Sequence, residues 1–141
     1  MTEQIDFATK YAPAPESTDH IEIKDRYPLF INGEFTEPAS GKYFPTINPA
    51  TEKTLSEIAE ANKADVDRAV QCARKAYENT WSKMPEKERG KYIYRISRML
   101  QERSREFAII ESMDGGKPIR ESRDIDIPLA AAHFFYYAGW A

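Results

Sequence analysis

From Pro28 the chain alternates short apolar runs with turn residues, and beyond Asn62 the apolar spacing lengthens to three or four. Leu29-Phe30-Ile31 meets Asn32-Gly33, and Glu34-Phe35-Thr36 follows. An apolar run ending in Asn-Gly predicts a hairpin, because both residues tolerate the positive φ of a tight turn. Ala39-Ser40-Gly41-Lys42 marks a second turn. Tyr43 to Ile47 then leads as a strand to Asn48-Pro49, and Thr54 to Ala59 alternates as another. The expectation is a small antiparallel region of short strands.

Three helical stretches are predicted after it. The first begins near Asn62, an N-cap residue, with Asp65 three positions on to complete a capping box. Val66, Ala69, Val70, Ala73 and Tyr77 form its apolar stripe, and Asp67, Arg68, Arg74 and Lys75 cover the rest. The second starts around Pro85, with Glu86 and Glu88 at the positive end of its dipole. Its apolar face runs through Ile93, Ile96, Leu100, Phe107 and Ile110, and it stops before Asp114-Gly115-Gly116. Pro118 opens the third region, and Pro128 places a fresh helix start near Asp126. Phe134, Phe135, Tyr136, Tyr137 and Trp140 follow on that helix.

Residues 1–26 are polar and punctuated by Pro13 and Pro15, a composition that buries too little apolar surface to offset chain entropy. They read as an extended or mobile arm, and residues 27–141 as the folded part. The whole chain has 141 residues, 41% of them hydrophobic, which suits one ordinary domain. Its net charge of −3 mixes 20 basic with 23 acidic residues and forms no basic stripe, which argues against a nucleic-acid surface. The apolar runs are too short for a membrane span. The start of the chain lacks the basic and apolar regions of a secretory signal, so a cytoplasmic location is the expectation.

Candidate chemistry is sparse. The six glycines build neither a G-x-G-x-x-G nor a P-loop spacing, so no phosphate cradle is recognisable. Cys72 is the single cysteine; it lies at the edge of an apolar helix face with no histidine nearby in sequence, and reads as a small apolar filler. His20 in the arm and His133 beside the aromatic face lack partners at metal-ligand spacing. The Asp114-to-Pro118 turn places a carboxylate and a lysine together, although such a turn is more often a plain helix stop. Five aromatics within Phe134 to Trp140 have on the order of 1,000 Å² to hide. Exposed apolar patches on monomers typically span ~300–600 Å², so something further is expected to pack here.

Pro28-Leu-Phe-Ile-Asn-Gly-Glu-Phe35 and Phe44-Pro-Thr-Ile-Asn-Pro-Ala-Thr51 resemble the opening hairpin region of the aldehyde dehydrogenase superfamily. Lys63 to Val70 is similar to its first helix, Glu88-Arg-Gly90 to the start of its second, and Tyr136-Tyr-Ala-Gly-Trp-Ala141 to its third-helix signature. Met113 to Pro118 resembles the intervening turn, with Gly115 where the family pattern has Asn. The resemblance runs over residues 28–141, with the motifs in order.

It implies an α+β fragment: a short antiparallel hairpin region and three amphipathic helices, normally part of the α/β Rossmann-like cofactor-binding domain. The implied reaction passes hydride from a thiohemiacetal to NAD or NADP and then hydrolyses the thioester to a carboxylic acid. The catalytic Cys, the general-base Glu and the cofactor-binding segments of the family match no residue here, so no catalytic or cofactor-binding residue is assigned. The expectation is therefore a truncated or split N-terminal portion, inactive alone. Its partner would be the remainder of the enzyme or a homologous subunit, in a homo-oligomer when complete. The resemblance also implies a monovalent-cation site using the carbonyls of Thr46 and Ile47 and the carboxylate of Asp114, and places Leu129 at the substrate entrance. The alternative is an assembly module that complements a separately encoded remainder.

Overall fold

The structure is a computed structural model that describes residues 17–19 and 21–141; most of the expected N-terminal arm, with His20, lies outside them. The described residues form two sheets and four helices longer than one turn, so the α+β fold class holds.

Strands β2 (Leu29–Ile31) and β3 (Glu34–Thr36) form the hairpin, pairing Phe30 with Phe35. Asn32 at φ 57° and Gly33 at φ 84° are both left-handed, the backbone of a primed turn whose twist suits the strands. Strands β4 (Tyr43–Asn48) and β5 (Lys53–Ala59) pair antiparallel, with an irregularity between Thr46 and Ile47. The Asn48 side chain accepts from the Ala50 N–H at 2.9 Å and its carbonyl from the Glu52 N–H at 2.8 Å, which closes the connecting turn.

The expected antiparallel region carries one parallel pair as well. Strand β1 (Arg26–Tyr27) lies parallel to β5, giving a mixed sheet in the order β1-β5-β4. Its register is fixed by Arg26, whose Nε donates to Glu57 at 2.9 Å.

Helix α1 (Lys63–Asn79) starts on the predicted capping box. The Asn62 side chain accepts from the Ala64 and Asp65 amides, and the Asp65 carboxylate accepts from the Asn62 N–H at 3.1 Å. After a 3₁₀ turn at Trp81–Lys83, α2 (Glu86–Glu102) begins just past Pro85. The single second helix of the sequence reading divides at Arg103 (φ −107°, ψ 20°), and α3 (Ser104–Gly115) continues from there. Gly116, at φ 69°, ends α3 in the left-handed conformation that favours glycine.

Ile119–Glu121, a π-helical turn at Ser122–Asp126 and α4 (Ile127–Ala138) then follow without leaving helical backbone. The wider turn accommodates Pro128, which has no N–H to give, so the proline extends a helical run where the sequence suggested a fresh start.

Helices α2 and α4 form the closest packing. Ser97, fully buried, donates through Oγ to the Ala131 carbonyl at 2.8 Å. Farther along, the helices come so near that a Cβ on Gly90 would lie 2.7 Å from the Ala138 carbonyl oxygen. The buried apolar core among the described residues is small: Ala59, Ala108, Ile109 and Ala131. Ile109 is the one large apolar side chain in it, and many others lie half-buried or on faces that this chain leaves open.

Candidate functional site

Of the residues expected at the cation site, Thr46 and Asp114 meet at the junction of β4 and α3. Thr46 and Ile47 flank the β4 irregularity, and Asp114 lies in the last turn of α3. Thr46 Oγ1 donates to Asp114 Oδ1, joining residues 68 positions apart. Thr46 and Asp114 also border a cavity of about 420 Å³ whose walls include Tyr27, Phe44, Leu55 and Ile110. The Thr46 hydroxyl and the Asp114 carboxylate are oxygen groups, the kind that suits a hard cation. Among the described residues no cluster of three His, Cys, Asp or Glu side chains stands ready for a metal.

The neighbouring glycine turn is a helix stop with a clamp. Lys117 Nζ lies 2.6 Å from Asp126 Oδ2, and Ser112 Oγ donates to the Lys117 carbonyl at 2.6 Å. The hydrogen bond to Asp126 holds the Lys117 ammonium above its ordinary range, aided by the charge of that carboxylate against the opposing effect of burial. Lys117 thus ties α3 to the π turn that leads into α4.

Leu129 is exposed near the start of α4, and His133 is exposed one turn further along it. Cys72 is a free, half-buried thiol on α1. The outer surface of the sheet carries another polar chain: Arg26 stacks 4.3 Å from the Tyr43 ring, and the Tyr43 hydroxyl donates to Glu37 at 2.6 Å. That hydrogen bond pushes the phenol upward, with further contributions from desolvation and from the Glu37 charge.

Sequence reasoning missed three anchors. Asp65 was legible as a cap, yet its buried carboxylate also accepts from the Ala39 N–H at 3.0 Å, binding α1 to the strand connection. Ser97 and the Lys117–Asp126 pair carried no local signal. The most extensive feature is apolar: Phe135, Tyr136 and Tyr137 of α4 and Trp140 just past its end lie open, Trp140 at 74% exposure, with the Tyr94 ring of α2 tilted against Phe135 at a centroid distance of 5.7 Å. Val66, Val70 and Tyr77 of α1 are more than half exposed as well. Among the described residues no helix is long and apolar enough to cross a membrane.

An α+β unit with open helix faces and a β4–α3 oxygen cluster is what a portion of a larger enzyme fold presents. The chain belongs to the aldehyde dehydrogenase family, whose model matches residues 35–141. Aldehyde dehydrogenase family 2 member B4, mitochondrial, of Arabidopsis thaliana is 40% identical over 136 residues, covering 96% of this chain and 25% of that protein. DhaS of Bacillus subtilis (strain 168), an aldehyde dehydrogenase by name, is 46% identical over 113 residues, covering 79% of this chain and 23% of that one. The NAD+ complex of aldehyde dehydrogenase from Bacillus cereus superposes with a TM-score of 0.80 at 40% identity, over 84% of this chain and 24% of that chain. This chain therefore spans about a quarter of the length of the relatives it matches.

Proposed function

We propose that this chain serves as the hairpin-and-helix portion of an NAD(P)-dependent aldehyde dehydrogenase and is catalytically silent without the rest of that fold. The open apolar faces of α1, α2 and α4 carry this reading. Leaving such area in water costs about 25 cal/mol per Å², which favours a covering surface. Aldehyde oxidation through a covalent intermediate requires an activated thiolate, a base and a bound hydride acceptor. The family resemblance maps Cys72 to no catalytic position, and the glycine spacing offers no dinucleotide cradle. When bound in the whole enzyme, NAD or NADP supplies the hydride acceptor.

The residues here have supporting tasks in that enzyme. Ser97 and Gly90 set the fit of α4 on α2, and α4 presents Leu129 toward the substrate entrance. Thr46, Ile47 and Asp114 offer oxygens to a monovalent cation, with remaining ligands from other parts of the fold. The partner is the remainder of the dehydrogenase or a homologous subunit, and the complete enzyme is a homo-oligomer.

The test is a spectrophotometric assay of NAD(P) reduction across an aldehyde panel. The isolated chain is expected to give none, and turnover above the protein-free blank would overturn the reading. A second reading, an assembly module complementing a separately encoded remainder, is favoured by the same open faces. Co-purification with such a partner and activity regained on mixing would support it; failure to associate would remove it.

A further inference from the structure

We draw no further inference here: the strongest candidate, the open aromatic face of α2 and α4 around Tyr94, Phe135 and Trp140, belongs to the surface already assigned to the rest of the dehydrogenase fold, and nothing in the structure shows what else covers it.

Discussion

Replacing Asp65 by alanine is expected to loosen α1 from the sheet. The carboxylate is only 1% exposed and accepts from the Ala39 N–H at 3.0 and 3.2 Å, the Asn62 N–H at 3.1 Å and the Arg68 guanidinium at 3.2 Å. Hydrogen bonds to a charged group contribute about 1.5–3 kcal/mol each, and loss of an N-cap partner typically costs about 1. Ala39 and Asn62 are exposed residues, so water partly replaces the lost acceptor and the lower end applies. The net loss expected for Asp65→Ala is roughly 2–4 kcal/mol. Asp67→Ala is the control, because its pair with Lys63 is solvent-exposed and such i,i+4 pairs contribute about 0.3–0.5 kcal/mol. Urea unfolding followed by circular dichroism reads both; with a slope of about 2 kcal/mol per molar, Asp65→Ala lowers the midpoint by roughly 1–2 M. Equal midpoints for the two variants would refute the claim that this carboxylate fastens the helix.

Gly90→Ala and Gly115→Ala should move stability in opposite directions. A Cβ at Gly90 meets the Ala138 carbonyl oxygen at 2.7 Å, and the overpacking cost of about 1–3 kcal/mol offsets the gain in helix propensity of about 1. At Gly115 the nearest contact is 3.6 Å, so there thermal melting should register only the gain, and a loss would contradict the geometry. Ser122 is fully buried and its Oγ has no hydrogen-bond partner among the described residues, so Ser122→Ala should be neutral or stabilising by about 1 kcal/mol, whereas a comparable loss would reveal a partner. Because the folded state raises the Lys117 pKa, that pair's contribution is fully present below the unfolded lysine value, about 10.4, and fades as pH rises through the folded value. Lys117→Met should therefore trail the parent protein at pH 8 and converge with it in strong alkali; a constant gap would count against the clamp.

What the sequence made legible is local chemistry. Asn32-Gly33, the Asn62–Asp65 box and the Gly116 stop each depend on neighbours within a few positions, and each element appears where those residues require it. Strand β1 escaped notice because two residues give no periodicity and its partner, Glu57, lies 31 positions away. The break at Arg103 has no glycine or proline nearby to announce it. Ser97 meets Ala131 across 34 positions, a contact set by helix packing that no spacing encodes. Thr46 and Asp114 were paired only through family resemblance, since 68 residues separate them. The open aromatic face was legible as an excess of apolar area, and the exposed α4 rings agree with that expectation.

If this face is built to be covered, Trp140 senses the cover. In a Trp81→Phe background Trp140 is the sole tryptophan, and quenching by a small soluble anion measures its contact with water. Strong quenching is expected in the isolated chain at dilution, and marked protection once the remaining portion of a related aldehyde dehydrogenase is added. A Trp140 already shielded in the dilute monomer, or one equally quenched with and without that portion, would contradict that expectation.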